Sequence, residues 1–376
     1  MNREPYHCHH CGTPGLQLAE TFKHLQRVTS DATAAGPGGE LALCAQCGTV
    51  QSPPTVQWQR DCNHIYSHYN IYHQSNGTEQ QIFAQAQAPQ GRSVKLAALL
   101  QQHVQMPTSG RLLDIGCANG CFLRAWAATA PQWELAGMEF DRRHEENLVR
   151  IPGFATLYTG HVAQIEKQFD LITFVHVLEH IPQPHGILQA AAAKLTPGGY
   201  IAIQVPDCSN NAPIIGVADH STHYGANSLH NTGTRAGLET VLLEPLLPKE
   251  LTFVLRKGKA PQFKDARAEG NRIFQQAQDL YPTAQRLRRL VAANPGNWGI
   301  FGTSIAATWL AQEIPDATGF FVDEDPTRQG RCHMGKPIVS PLAVPPGSHI
   351  IVAMPGQQGQ AIAQRLATKT THYHPL

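Results

Sequence analysis

Apolar runs and helical stretches alternate through the middle of the chain, from about residue 76 to 255. The predicted elements are strands at 112–115, 135–140, 171–174 and 200–205, and helices at 121–129, 185–195 and 234–238. Strands that alternate with helices are typical of right-handed βαβ units. This segment is therefore expected to fold as an α/β domain, with a doubly wound, mostly parallel sheet covered by helices on both faces.

The segments on either side have different patterns. After residue 256, a polar helical stretch at 265–293 precedes a second strand, glycine turn and helix at 298–310, with further strands at 318–323 and 349–354. This pattern predicts a second, Rossmann-like α/β domain over 256–376. Residues 1–75 lack long periodic patterns and have few apolar positions, so this segment needs a crosslink, such as a bound metal ion, to stabilise its fold.

Two cysteine pairs can supply that crosslink by binding a metal ion. Cys8 and Cys11, then Cys44 and Cys47, each place two thiolates on a tight Cys-x-x-Cys knuckle, and two knuckles supply the four ligands of a tetrahedral structural Zn²⁺. A glycine follows each pair, where a knuckle commonly needs a positive φ. The alternative is a redox Cys-x-x-Cys, which requires only one pair at the start of a helix. The histidines within the first knuckle, His9 and His10, are expected to be exposed.

A candidate cofactor site follows the first strand of the middle segment. Asp114 precedes a turn with Gly116 and Gly120 at its ends, and Glu139 ends the next predicted strand. Glycines allow close approach to a ligand, and an acid at the second strand can accept hydrogen bonds from ribose hydroxyls. The pattern favours S-adenosylmethionine (SAM). The alternatives are a plain strand-to-helix turn with a solvated Glu139, or nicotinamide binding, which usually requires G-x-G-x-x-G.

Three successive motifs, at residues 113–120, 169–182 and 195–203, resemble those of class I SAM-dependent methyltransferases in order and spacing. The resemblance implies that the methionine and ribose portion of SAM contacts the first turn, and that Glu139 holds the ribose hydroxyls. The remaining positions it implies are Asp114, Gly116, Ala118 and Gly120 in the turn, Phe140 near adenine, His176 and Val177 beneath the methyl donor, and His161 where many relatives carry an acid for the adenine amino group.

The order of the three segments resembles that of sugar C-methyltransferases that act on nucleotide-linked keto-deoxysugars. The tyrosine-rich stretch 66–75 and the segment 322–338 are similar to signatures of their first and third domains. The resemblance implies a zinc-binding domain at 1–75, a class I methyltransferase domain at 76–255, and a C-terminal domain at 256–376 that helps to bind the nucleotide of the substrate without a cofactor. NAD binding by the C-terminal domain is the alternative.

Methylation at a carbon next to a ketone requires a base that removes a proton. Asp219 and His220 fall where these relatives carry a His-Glu-His run, so the resemblance implies His220 as the base and Asp219 as its partner. Ala218 stands where the first histidine is usual, and Val217 where a tyrosine is usual. His180 and Tyr72 are further candidate catalytic residues.

Bulk composition constrains the partners. The 376-residue chain has a net charge of +1, which gives no reason to expect nucleic acid or an anionic membrane as a partner. No secretory signal or long apolar run is present, and the nine cysteines suit a reducing compartment, so a cytoplasmic protein with a small-molecule substrate is expected. The rival functions are an O- or N-methyltransferase for another metabolite and a non-catalytic SAM-binding protein.

Overall fold

The structure of the protein is a computed structural model, and it describes residues 6–72, 75, 77–79, 81–82, 90–354 and 356–375. The N-terminal part consists of short strands and one longer helix. Its elements are β1 (Gln17–Leu18), β2 (Gln26–Val28), β3 (Ala34–Pro37), β4 (Ala42–Leu43), β5 (Val50–Gln51), α1 (Val56–His68), β6 (Gln81–Ile82) and β7 (Gln90–Gly91).

The middle part contains a seven-stranded sheet. Its elements are α2 (Arg92–His103), β8 (Arg111–Ile115), α3 (Cys121–Thr129), β9 (Glu134–Glu139), α4 (Glu145–Leu148), β10 (Phe154–Thr159), β11 (Phe169–Val175), α5 (Pro184–Ala193), β12 (Leu195–Pro206), β13 (Thr222–His223), α6 (Ala226–Arg235), β14 (Glu239–Leu247) and β15 (Glu250–Arg256). The strand order is β10-β9-β8-β11-β12-β15-β14. The first five strands are parallel, and β15 pairs with β12 in the antiparallel direction. Apart from β13, all the strands of this part belong to this mixed sheet.

A long helix, α7 (Arg267–Ala293), leads to the third part of the chain. The elements there are β16 (Trp298–Phe301), α8 (Ile305–Glu313), β17 (Thr318–Val322), β18 (Cys332–His333), β19 (Lys336–Val339), β20 (His349–Val352), α9 (Gly356–Leu366) and β21 (His372–Pro375). They form a six-stranded sheet in the order β18-β19-β17-β16-β20-β21, parallel except for β18. The strands and helices predicted over 265–354 are confirmed to within a few residues.

Among the residues that the structure describes, the N-terminal part has no apolar core separate from the rest of the chain. Its buried side chains, such as Phe22 and Leu41, belong to one apolar cluster that also contains Phe274 of α7 and Trp298 of the third sheet. This shared core supplies the burial that the sequence of residues 1–75 lacks. The middle sheet has two separate cores.

β13 connects the N-terminal part to the middle part. Although it lies between β12 and α6 along the chain, it does not join the seven-stranded sheet. It forms the edge of a small sheet in the order β1-β4-β5-β13, where Thr222 pairs with Gln51 and His223 with Val50. The segment before β13, which holds Asp219 and His220, therefore runs alongside the N-terminal part.

One prediction from the sequence is wrong. The helix expected at 234–238 is instead α6 at Ala226–Arg235, which is followed by Gly237 with φ +77°. Its buried residues are mostly polar and hydrogen-bonded, as when Asn231 Nδ2 donates to the Lys264 carbonyl at 2.8 Å, so the helix has no clear apolar stripe. The helix expected at 185–195 is confirmed as α5, which ends at Ala193 because β12 begins at Leu195. In the part of the chain that the structure describes, no helix combines the length and apolar character needed to cross a bilayer.

Candidate functional site

A cavity of about 750 Å³ opens at the carboxyl ends of the parallel strands of the middle sheet. In the strand order, the chain moves from β8 to its neighbour β9 in one direction, and later from β11 to its neighbour β12 in the opposite direction. Ligands of open α/β sheets bind at such a switch point, outside the carboxyl ends of the strands. The turn after β8 and the residues after β9 and β11 line this cavity.

The turn after β8 has the backbone that the glycine pattern predicted. Gly116 and Gly120 have φ values of +71° and +81°, and Ala118 between them is also left-handed at +46°. A Cβ at Gly116 would lie 2.3 Å from Val177 Cγ2, so no larger residue fits there without movement. Gly120 packs in the same way against Leu148, and it supports the turn rather than lining the cavity.

Two acids stand beside this turn. Glu139 accepts hydrogen bonds from the backbone N–H groups of Ala118 (2.7 Å) and Phe140 (3.1 Å). A carboxylate has four acceptor positions, so two remain for a ligand. Asp114 is buried and accepts from Thr173 Oγ1 at 2.6 Å; burial raises its pKa to about 7, against the effect of this hydrogen bond. The Phe140 ring is 85% exposed and stacks on Tyr66, with ring centroids 5.8 Å apart.

Unusual backbone conformations concentrate at this cavity. Of the seven non-glycine residues with positive φ among those described, five line it: Ala32, Tyr72, Ala118, His176 and Lys249. Such conformations cost free energy and persist where surrounding contacts hold them, which is common at functional sites. Four of the five lie outside the glycine turn, so this signal supports the cavity as the functional site beyond the turn itself.

Most of the residues singled out in the sequence meet at this cavity. Those that line it are Tyr72, Asp114, Gly116, Ala118, Glu139, Phe140, His176, Val177, His180 and His220. Asp219 lies beneath the wall and is completely buried. His161 is exposed, and its Nδ1 accepts from the Ala163 N–H at 3.1 Å, so it caps a 3-10 turn, although its neighbour Gly160 reaches the cavity. Residues 73 and 74 of the tyrosine-rich stretch lie outside the described residues.

His180, His220 and Asp219 form a compact group. Asp219 Oδ2 lies 3.3 Å from His180 Nδ1, and the rings of His180 and His220 meet edge to face at 4.8 Å. Thus the carboxylate engages His180 by direct contact, whereas the sequence suggested that it would orient the adjacent His220. Tyr66 Oη, 3.2 Å from His180 Nδ1, completes the group.

The two histidines have opposite pKa shifts. Burial lowers the pKa of His220 to about 4, and the charge of His180 contributes to this shift. Burial also acts to lower the pKa of His180, but contact with Asp219 outweighs it and raises the value to about 9. At neutral pH the His220 ring is therefore uncharged, and the His180 ring carries a positive charge. Environments that separate the pKa values of neighbouring groups are the usual basis of acid and base roles.

A network of buried charges was not found from the sequence. Arg92 contacts Glu250 Oε1 at 3.2 Å and donates to Tyr72 Oη at 3.0 Å. His176 lies between Glu250, at 3.3 Å, and Glu179, at 3.4 Å. Burial alone would raise the pKa of Glu250, but His176 and Arg92 lower it to about 2. No short motif marks Arg92 or Glu250, whereas Glu179 stands beside His180 in the Leu-Glu-His run of the second motif.

The four cysteines of the two knuckles come together in the N-terminal part. Cys8 and Cys47 sulfur atoms are 3.7 Å apart, and those of Cys11 and Cys44 are 3.6 Å apart. A tetrahedral ion with Zn–S bonds of ~2.3 Å holds its sulfur ligands about 3.8 Å apart, so this group could hold such an ion. The glycine after each knuckle has positive φ, as predicted.

The histidines of the first knuckle are buried, which corrects the expectation that they are exposed. His9 Nε2 is 2.9 Å from Thr222 Oγ1 in β13, and His10 Nε2 is 2.8 Å from Thr232 Oγ1 in α6. The knuckle therefore packs against the middle part of the chain through both rings.

Comparison with known proteins finds similarity to methyltransferases in the middle part of the chain. The family model described as a methyltransferase domain matches residues 88–243. Two curated relatives are the ubiquinone biosynthesis O-methyltransferases of Azotobacter vinelandii (28% identity, 27% of this chain, 46% of the relative) and Histophilus somni (31% identity, 27% and 47%). The chain spans about half the length of these relatives. A solved structure, CalO1, a methyltransferase in calicheamicin biosynthesis with SAH bound, aligns with a TM-score of 0.37 at 15% identity over 44% of this chain and 54% of CalO1.

Residues 88–243, in the middle part of the chain, therefore match a methyltransferase domain. The matched segment contains the glycine turn, Glu139, His180 and His220. The N-terminal and C-terminal parts lie outside the matched residues.

Gly116→Ala tests the turn. We expect SAM affinity to fall at least tenfold, because the added Cβ meets Val177 and a left-handed φ is unfavourable for alanine by roughly 1–2 kcal/mol. Gly237→Ala is a matched control, since Gly237 has the same backbone type, with no atom within 4 Å of an added Cβ, outside the cavity. Titration calorimetry with SAM measures both; wild-type affinity in Gly116→Ala would show that the ligand does not approach this turn.

Proposed function

We propose that the protein is a SAM-dependent C-methyltransferase whose substrate is a nucleotide-linked keto-deoxysugar. The observation that carries this proposal is the pair of a neutral His220 and a protonated His180 at one cavity, beside the glycine turn of a methyltransferase domain. The resemblance of the three-segment order to sugar C-methyltransferases supplies the substrate class.

The turn after β8, the end of β9 and Tyr66 of α1 would hold the cofactor. Gly116 and Ala118 allow close approach of the backbone, and Glu139 has acceptor positions left for ribose hydroxyls. Phe140 and Tyr66 offer aromatic surface to a base. When bound, SAM supplies an electrophilic methyl group on a sulfonium sulfur.

The histidine pair suits the removal of a proton from a carbon next to a ketone. His220 is neutral and reaches the cavity, so it can accept that proton. As charge moves to the ketone oxygen, the imidazolium of His180 can stabilise it by donating a hydrogen bond. Asp219 keeps His180 protonated and oriented. The carbon that loses its proton becomes the nucleophile that methylation requires.

The C-terminal part contributes a wall of the cavity that suits a nucleotide. Thr303, Ser304 and Ile305 bring the N-terminus of α8 to the cavity, and Arg328 lies beside them. Free N–H groups at a helix N-terminus favour phosphate. Asp323, which follows β17, already accepts hydrogen bonds from Thr303 (2.9 Å) and Arg328 (3.4 Å). In a dinucleotide-binding domain, an acid after the second strand holds a ribose of the cofactor. Because Asp323 is engaged by protein groups, we favour substrate binding here over binding of a dinucleotide.

O-methylation is the second candidate, because the curated relatives are named as O-methyltransferases. It needs a base for a hydroxyl but no acidic C–H bond. A non-catalytic SAM-binding protein would transfer no methyl group at all.

Proton exchange separates these functions. The enzyme is incubated in deuterated solvent with thymidine and uridine diphosphate-linked 4-keto-6-deoxyhexoses, with and without SAM, and products are followed by mass spectrometry. We expect deuterium at the carbon next to the ketone and a methylated product with SAM, and His220→Ala should lower both at least a hundredfold. His161→Ala, which removes an exposed imidazole outside the cavity, is the control. Methylation without exchange would favour O-methylation, and no methylation of any acceptor would favour the binding protein.

The pH dependence of kcat provides a second test. His220 must be neutral and His180 protonated, so kcat should rise near pH 4, stay level and fall near pH 9. The groups that face His180 are Asp219, Glu179, Tyr66 and His220. Asp219→Asn removes the main charge that raises the pKa of His180, so the alkaline limb should move to lower pH. An alkaline limb unchanged in this variant would contradict the assignment of His180.

Zinc in the four-cysteine cluster is part of the proposal, as a structural ion. We expect one zinc per chain by elemental analysis, and its loss in Cys44→Ser together with a lower unfolding temperature, because the ion links the two knuckles of a segment that shares its core with other parts of the chain. Cys332→Ser, at an exposed cysteine outside the cluster, should keep the metal and the stability. Metal-free protein purified without chelator would refute the zinc assignment.

A further inference from the structure

The segment 217–223, which holds Asp219 and His220, is bound along its length by the N-terminal part of the chain. The Ala218 N–H donates to the Val28 carbonyl at 2.8 Å, and its carbonyl accepts from Trp58 Nε1 at 3.1 Å. The Ser221 carbonyl accepts from the Ser52 N–H at 2.9 Å. The next two residues form β13 in the small N-terminal sheet.

Within this segment, the Asp219 carboxylate receives a specific contact. The Ser30 hydroxyl donates to Asp219 Oδ2 at 2.6 Å, and the Ser30 N–H donates to Oδ1 at 2.9 Å. Ser30 lies in the turn between β2 and β3, 189 residues away along the chain, and it lines the cavity. Both oxygens of the buried carboxylate are thus held by one residue of the N-terminal part.

This contact determines where the carboxylate points. Asp219 is completely buried, and its Oδ2 is shared between the Ser30 hydroxyl and His180 Nδ1. Without the hydroxyl, Oδ2 loses one of its two partners while the Ser30 N–H still holds Oδ1, so the carboxylate can turn about Oδ1 and move Oδ2 away from His180. A buried charge with a missing partner is costly, so such a rearrangement is expected.

We propose that Ser30 is a positioning residue for the reaction: it fixes Asp219 and, through Asp219, the His180 ring beside His220. The proposal rests on the proposed function of the two histidines. It also assigns the β2–β3 turn a role in the active site that goes beyond holding the N-terminal part together, because the turn places one hydroxyl on the carboxylate that orients a catalytic ring.

Ser30→Ala and Ser30→Thr form the test, with Ser109→Ala, at an exposed serine of a loop, as the control. The measured quantity is the rate of deuterium exchange and methyl transfer with a thymidine diphosphate-linked 4-keto-6-deoxyhexose. A hydrogen bond to a charged group corresponds to about a ten- to hundredfold effect, so Ser30→Ala should lower kcat by that factor. KM and SAM affinity should change less than threefold, and Ser30→Thr, which keeps the hydroxyl, should recover most of kcat.

A double-mutant cycle separates positioning from a general loss of structure. If Ser30 acts through Asp219, Ser30→Ala combined with Asp219→Asn should be no slower than Asp219→Asn alone. Additive effects, or wild-type kcat in Ser30→Ala, would overturn the positioning role while leaving the proposed function intact. A wild-type enzyme that neither exchanges nor methylates the substrate would overturn both.

Discussion

A buried carboxylate is the constraint around which the site is organised. Asp219 has no contact with solvent, so its charge must be balanced inside the protein. Ser30 and His180 do this from two sides, and they come from sequence positions 189 and 39 residues away. The β2–β3 turn, the 3-10 turn Leu178–His180 and the segment before β13 must therefore meet at one point. That meeting places His180 and His220 side by side at the cavity.

The same meeting explains how the N-terminal part is stabilised. Its apolar side chains complete a core shared with α7 and the third sheet, and its small sheet accepts β13 as an edge strand. Gly270 of α7 lies so close to Gly48 that an added Cβ would be 2.0 Å from the Gly48 carbonyl oxygen, which shows how tightly the second knuckle packs on this helix. The fold of the N-terminal part thus depends on the segments that it helps to position.

Local sequence patterns predicted the elements whose structure depends on residues close together in the chain. Buried parallel strands produced apolar runs, the turn after β8 required Gly116 and Gly120, and the knuckles required cysteine pairs followed by glycine. Pairing between distant residues left no such pattern. The contacts of Ser30 with Asp219 and of Arg92 with Glu250 depend on the tertiary fold, and the burial of His9 and His10 depends on threonines more than 200 residues away. α6 was misplaced because its buried side chains are polar and satisfied by hydrogen bonds.

The proposed function depends on a protonated His180 beside a neutral His220 in one cavity. Nitrogen-15 NMR of histidine-labelled protein at pH 7 tests it directly, with His180→Gln and His220→Gln used to assign the two rings. We expect the His180 ring to carry protons on both nitrogens and the His220 ring to carry one. Two neutral rings, or a protonated His220, would contradict it.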